Sequence, residues 1–354
     1  MGRADATKTK APTLTTVAEH VGVSRMTVSN AFNRPDQLSP ALRERVLAAA
    51  REIGYHGPNP VARTLSSGEA GALGILFDYS LTAALTDPAT APLLLGVATE
   101  CEARSLGLTL VPLLEGADDR HVRTALVDGF VLYSVTEHDA RLRAVRERGL
   151  PYVLIDHEPD RAGAPRVNID DRGASRALAE HLLGLGHRRI GIALGFEHPA
   201  HTLAQAEQES IYFVGAERMA GWRSAGLDGS TPVASGPGHG REAGRVAAHR
   251  LLDLPEPPTA IIAISDLLAL GAMEAAAERG IDVPADLSVV GFDDIPDAAA
   301  AGLTTVRQPH DEKGAAAVRL LLDSDDRESV LLPAELLIRS TTAPPRPQEG
   351  SPCS

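Results

Sequence analysis

The chain has 354 residues, 44% of them apolar and only 3% aromatic, with a formal net charge of −13. That length suggests two or three domains, and so acidic a total argues against a protein that coats nucleic acid over its whole surface. The charge is uneven: residues 1–69 hold nine Lys/Arg and six Asp/Glu, a net +3 that leaves −16 on the remainder, as expected for a small DNA-binding module on an acidic body.

The chain opens on a polar stretch, Met1 to Lys10, with no apolar signal core. Residues 13–33 then read as two short amphipathic helices broken at one glycine. Leu14, Val17, Ala18 and Val21 recur at helical spacing. Gly22 suits the tight turn, since glycine tolerates a left-handed backbone cheaply, and Ser24 can accept from the free N–H groups that start the second helix. Val28 and Phe32 turn inward while Arg25, Met26, Ser29 and Asn30 turn outward, a face suited to the DNA major groove. An ordinary pair of packed helices is the plainer alternative. A third helix starts at Ser39-Pro40, a cap and first-turn pair. It buries Leu42, Val46, Leu47, Ala50 and Ile53 and closes at Gly54.

Next comes Pro58-Asn59-Pro60-Val61-Ala62-Arg63-Thr64-Leu65. The order helix-turn-helix, Gly-Tyr, Pro-Asn-x-Val-Ala-Arg-x-Leu resembles the lactose-repressor (LacI/GalR) family of bacterial transcription regulators. The resemblance runs through nearly the whole chain. It implies that Arg25, Met26 and Asn30 read bases, and that Thr27, Ser29, Asn33 and Thr16 touch the backbone. It also implies that residues 58–69 form a hinge helix only when two subunits meet on DNA. Leu65 would then wedge into a minor-groove base step, with Ala62 against the partner hinge or the groove floor. Physics agrees that a segment of about eight residues is too short to be a stable helix alone. Packing of Leu65 on a core, and a solvated rather than phosphate-bound Arg63, are the alternatives.

From Gly71 short apolar runs alternate with helical stretches. Residues 73–77, 108–113, 129–132 and 152–155 read as buried strands, and 92–106, 118–127 and 138–149 as the helices between them. Strands at 189–193, 260–263 and 288–291, with helices at 172–186, 216–226, 241–253 and 266–280, make a second set. Alternation of this kind means parallel sheets covered by helices. The expected fold is a small all-α helix-turn-helix head on an α/β two-lobed body of the type I periplasmic-binding-protein kind. The head spans residues 11–57 and the effector-binding and dimerisation body 70–341. Lobe one takes about 70–168 and 298–323, and lobe two about 169–297 and 324–341. Further strings carry the resemblance: Gly184 to Ile190, Asp266 to Glu274, Ser288 to Asp294, Gly302 to Gln308 and Glu335 to Thr341. The proline-rich tail, 342–354, is expected to be disordered. It lacks the leucine heptad that family tetramers use, so a homodimer is expected.

Ligands in such folds sit at the carboxyl ends of strands. The resemblance assigns Asp293 and Arg218 to the effector, and strand ends add Asp156, Ser265, Phe77 and Asp78. A carboxylate accepts from two adjacent hydroxyls and an arginine fork donates to oxygens, as a sugar or related metabolite requires. Each acid could instead cap a helix or pair with an arginine, and Trp222 and His187 read as core residues. Residues 195–217 read as a loop longer than the family's, and 78–91 as a second long loop. His198 and His201 suggest a solvated loop rather than a metal site. Cys101 and Cys353 have no metal or redox spacing, and no run approaches the roughly 20 apolar residues of a membrane span. The sequence therefore points to a cytoplasmic, effector-controlled regulator of operator DNA without cofactor or metal. A transport receptor lacks its export signal here, and an enzyme lacks a recognisable phosphate loop or nucleophile elbow.

Overall fold

The structure, a computed structural model, describes residues 12–57, 68–112, 119–195, 200–323 and 328–347. The chain separates into two compact units, Met1–Ala70 and Gly71–Ser354.

In the first unit, α1 (Leu14–Val21) begins with a reciprocal cap. Thr13 Oγ1 accepts from the Thr16 backbone N–H at 3.3 Å, and Thr16 Oγ1 accepts from that of Thr13 at 3.2 Å. Gly22 ends it at φ 74°, where a side chain would be strained. Helix α2 (Arg25–Asn33) is capped by Ser24, and α3 (Pro40–Glu52) by Ser39 with Pro40 in its first turn. Val17, Ala18, Val28, Ala31, Val46, Ala50 and Tyr55 form the core, with Phe32 edge-on to Tyr55 at 5.7 Å.

The second unit holds two parallel sheets. In chain order the first set comprises β1 (Ala72–Phe77), α4 (Leu81–Thr86), α5 (Thr90–Ala103), β2 (Gly107–Val111), α6 (Arg120–Thr124), β3 (Gly129–Tyr133), α7 (Ala140–Arg148), β4 (Tyr152–Ile155) and β5 (Arg166–Ile169). The second comprises α8 (Asp171–Gly184), β6 (Ile190–Leu194), α9 (Leu203–Glu209), α10 (Phe213–Ser224), β7 (Val233–Ser235), α11 (Arg241–Leu252), β8 (Ala260–Ala263), α12 (Asp266–Glu278), β9 (Ser288–Val290) and α13 (Pro296–Ala300). The chain then runs through β10 (Thr305–Arg307), α14 (His310–Leu322), β11 (Val330–Leu332) and β12 (Glu335–Leu337). The larger sheet has the order β11-β5-β4-β3-β1-β2, the smaller β7-β6-β8-β9, and β10 pairs antiparallel with β12. Strands such as β4 and β8 are buried along their whole length, as strands covered on both faces must be.

Several boundaries differ from those read in the sequence. Residues 298–307 were expected in lobe one, but Ala298 and Leu303 pack in the core of the smaller sheet and Thr304 bridges to Val290. Residues 330–332, expected in lobe two, are β11 and pair in parallel with β5 at the edge of the larger sheet. These strands are three residues long, too short for a period to show which sheet they join. The expected loops at 195–217 and 78–91 contain α9 and α4. Both helices start from a side-chain cap, Thr202 and Ser80 respectively, that polar sequence alone disguises. Nor is the start of the tail loose. Thr342 Oγ1 lies 3.0 Å from His181 Nε2, and the Ala343 carbonyl accepts from Ser288 Oγ at 3.1 Å. Residues 348–354, and Cys353 with them, lie outside the described residues.

Close helix packing in the second unit rests on glycine. A Cβ on Gly271 of α12 would stand 1.9 Å from the Arg241 carbonyl oxygen, and one on Gly244 of α11 would stand 2.0 Å from that of Leu268. No helix among the described residues is long and apolar enough to cross a membrane.

Candidate functional site

The head presents α2 as its polar face. Met26 is 69% exposed, and Arg25 is exposed and makes no hydrogen bond or ion pair among the described residues. Thr27 Oγ1 lies 2.8 Å from Ser24 Oγ, while Asn33 Nδ2 donates to Ser29 Oγ at 3.3 Å. Asn30 is half-buried on the same helix, and Thr16 sits in the first turn of α1. Buried Val28 and Ala31 hold this helix against the core, so its outer residues are free to face another molecule. Ala62, Arg63 and Leu65 lie outside the described residues.

In the second unit, charged side chains converge at the carboxyl ends of strands from both sheets. Asp156 follows β4 in a left-handed conformation, φ 56°. Its two carboxylate oxygens accept from Lys313 Nζ at 2.6 and 2.8 Å. The third ammonium proton goes to Gln308 Oε1 at 2.6 Å, and Gln308 Nε2 donates to Asp293 Oδ1 at 2.6 Å. Asp293 lies 3.8 Å from Arg218 Nη2. Arg218 in turn donates through Nε to Asp171 Oδ1 at 2.9 Å and through Nη1 to the Ile264 carbonyl at 2.6 Å. Its guanidinium lies 3.6 Å from the centroid of the Phe292 ring, within cation–π range. The result is one continuous polar chain, Asp156–Lys313–Gln308–Asp293–Arg218–Asp171, running from the larger sheet to the smaller.

Burial sets the electrostatics. It raises the Asp293 carboxyl well above the ordinary carboxylate range, against the pull of Arg218. It also raises Asp171, again opposed by Arg218. Asp78 is pushed up to about 6 by burial, opposed first by a hydrogen bond from Tyr212, which reaches it from the N-terminus of α10. Tyr79 and Tyr133 are raised by burial, and Asp87, Asp156 and Asp293 add to this in both. Those acids and rings therefore share one neighbourhood. His310 is pushed down to about 3 by burial, with Lys313 and Arg218 contributing.

Of the six residues expected from the sequence, Asp156, Arg218 and Asp293 are brought together, and Asp78 stands at the adjoining strand end beside Tyr212. Phe77 does not face open space. Its ring is buried in the core of the larger sheet, 6.0 and 6.1 Å from the rings of Tyr79 and Tyr133. Strand alternation explains this, since the residue at the strand end packs against the covering helices. Ser265 precedes α12, half-buried, and makes no capping hydrogen bond. Asp171, Gln308, His310, Lys313 and Tyr212 were not read as site residues. A separate cavity of about 330 Å³, lined by Asn168, Asp170, Phe213, Glu217 and Leu331 among others, shares only Asp171 with the polar chain. His198 lies outside the described residues, and among those described no three His, Cys, Asp or Glu are grouped to hold a metal.

An HTH-type transcriptional regulator of Mycobacterium tuberculosis is 43% identical over 353 residues, covering 94% of this chain and 97% of the relative. The chain belongs to the LacI family of bacterial regulatory proteins. The model of that family matches residues 13–59 of this LacI-family regulator, and the model of a periplasmic binding protein-like domain matches residues 179–342. Two solved structures are similar. One is the lac repressor dimer bound to operator and the anti-inducer ONPF (26% identity, TM-score 0.74, 94% of this chain and 100% of that one). The other is the regulator CelR in complex with cellobiose (28% identity, TM-score 0.67, 93% and 99%). This LacI-family chain is thus a DNA-binding transcriptional regulator, with a helical head and a two-lobed α/β body.

Proposed function

We propose that this regulator is a repressor that works as a homodimer, and that its operator affinity is set by an uncharged polyol, a sugar or close relative, held between its lobes. The single observation that carries the reading is the polar chain linking Asp156 to Asp171 across both sheets. A ligand entering there exchanges hydrogen bonds with groups of both lobes at once, and so changes their relative angle. Coupling of this kind typically amounts to about 1–3 kcal/mol.

The charge balance supports an uncharged ligand. Lys313 is bound to Asp156, Arg218 to Asp171, and Arg141 to Asp139. These three cations are thus matched, and the carboxyls of Asp78, Asp87 and Asp293 offer a phosphate ester no counter-charge. Tyr79 and Tyr133 supply ring faces for the apolar side of a sugar. CelR, with cellobiose bound, shows a relative using such a ligand. Asp156, Asp293 and one oxygen of Asp171 are engaged by Lys313, Gln308 and Arg218, which suits binding rather than catalysis.

At the DNA end, Arg25, Met26 and Asn30 contact base edges, and Thr16, Thr27, Ser29, Asn33 and Arg63 the backbone. Residues 58–69 form the hinge, with Leu65 as wedge and Ala62 beside it. Fluorescence anisotropy on the promoter of the chain's own gene tests this. Binding should be far tighter than to random duplex, should change on adding the effector, and should weaken at least tenfold in Leu65→Ala. Equal affinity for random duplex would overturn the reading.

A further inference from the structure

His310 opens α14, one turn before Lys313. It is 6% exposed, and neither Nδ1 nor Nε2 has a hydrogen-bond partner among the described residues. The ring lies close enough to Lys313 of the larger-sheet side and Arg218 of the smaller-sheet side for both to act on it. Both cations have partners of their own: the three ammonium protons of Lys313 go to Asp156 and Gln308, and Arg218 is held by Asp171 and the Ile264 carbonyl. Two unpaired nitrogens in so enclosed a place are costly, and burial, helped by the two neighbouring cations, keeps the ring neutral. A neutral imidazole offers one donor and one acceptor. That pair matches two hydroxyls of a polyol, each of which can donate and accept.

We infer that His310 is a specificity-determining residue that hydrogen-bonds the effector through both ring nitrogens and selects a ligand with a hydroxyl on each side of the ring. The inference rests on the polyol reading above. Lys313 acts as a positioning residue. By occupying Asp156 and Gln308 it leaves the imidazole as the unpaired buried polar side chain of that helix turn.

The test uses the full chain. Thermal shift and calorimetry are run with pentoses, hexoses, disaccharides including cellobiose, and linear and cyclic sugar alcohols, each beside a phosphate ester where one exists. The wild type should respond to an unphosphorylated member. His310→Phe, which fills the same space without polar atoms, should melt no lower than wild type yet bind that probe about 10- to 100-fold more weakly. His310→Gln, which keeps a donor and an acceptor, should retain part of the affinity. Ring nitrogen resonances that are present in wild type and missing in His310→Gln should move when the probe is added. They report on His310 even if the phenylalanine variant fails to fold. Unchanged probe affinity in His310→Phe, or ring resonances that ignore the probe, overturns this inference alone. A wild type that responds to no unphosphorylated probe overturns the polyol reading and this inference with it.

Discussion

The head and the body use polar residues in opposite ways. In the head, seven buried residues form an apolar core with one polar atom, the tyrosine hydroxyl, at its edge, while the groups suited to reading DNA stand outside it. In the body, Asp156, Asp171, Arg218 and Lys313 are buried in two ion pairs, which Gln308 and Asp293 join between the two lobes. On the proposed reading, folding and recognition are carried by separate residues in the head and by the same residues in the body. A substitution in the head's outer face should cost binding alone, whereas one in the body's polar chain should cost stability and effector response together.

Breaking the body's chain should give the largest effect. Arg218→Met leaves Asp171 and Asp293 without their cation, and removal of one partner from a buried ion pair costs about 3–5 kcal/mol. Urea unfolding of the full chain should show that loss in the transition of the body. Next comes Gly271→Ala, whose added Cβ would strike the Arg241 carbonyl oxygen. Overpacking of this kind costs about 1–3 kcal/mol and outweighs the better helix propensity of alanine. The head supplies the matched contrast, because a Cβ on Gly22 meets nothing within 4 Å. Gly22→Ala should therefore cost only the left-handed backbone penalty, about 1–2 kcal/mol, visible in the melting of the head.

Arg25→Ala sharpens the comparison from the other side. Operator discrimination should fall by about 1–3 kcal/mol in anisotropy titrations, with stability unchanged within about 0.5 kcal/mol. A large loss of stability there would collapse the distinction between the two regions. The smallest effect concerns Asp78. Its carboxyl is pushed up to about 6, chiefly by burial, so the folded chain holds that proton more tightly than the unfolded chain does. Its contribution to stability is full below about pH 4 and is lost as pH rises through about 6. Asp78→Asn should gain on the wild type between about pH 4 and 7 in denaturant melts. A constant difference across that range would show that burial does not govern this group.

Much of the head was legible because its signals are local. Helical spacing of Leu14, Val17, Ala18 and Val21, the turn at Gly22 and the caps at Ser24 and Ser39 each act within four residues. In the body, the strand–helix alternation was legible, and so were Asp156 and Asp293 as acids at strand ends, whereas Arg218, expected at a helix start, lies in the second turn of α10. His310 and Lys313 were not. Pro-His-Asp-Glu-Lys has the composition of a solvated first turn, and Asp311 and Glu312 are indeed exposed. The other two are buried because α14 lies against α5 and β4 while β10, just before it, belongs to the other lobe.

The amino-acid sequence by itself therefore determined the three helices of the head, the strand–helix alternation of the body, the family and the outward face of α2. All of these depend on the spacing of apolar residues, on caps and on turn residues within a few positions. Tertiary structure alone decided which lobe each short crossing strand joins, that Phe77 belongs to the core, and that Lys313 and His310 stand between the lobes. Those outcomes depend on contacts outside the reach of a local pattern, at their longest between β11 and β5 or Lys313 and Asp156, more than a hundred positions apart. Whether a charged side chain meets water or a partner is settled only once the chain has crossed back between its two sheets.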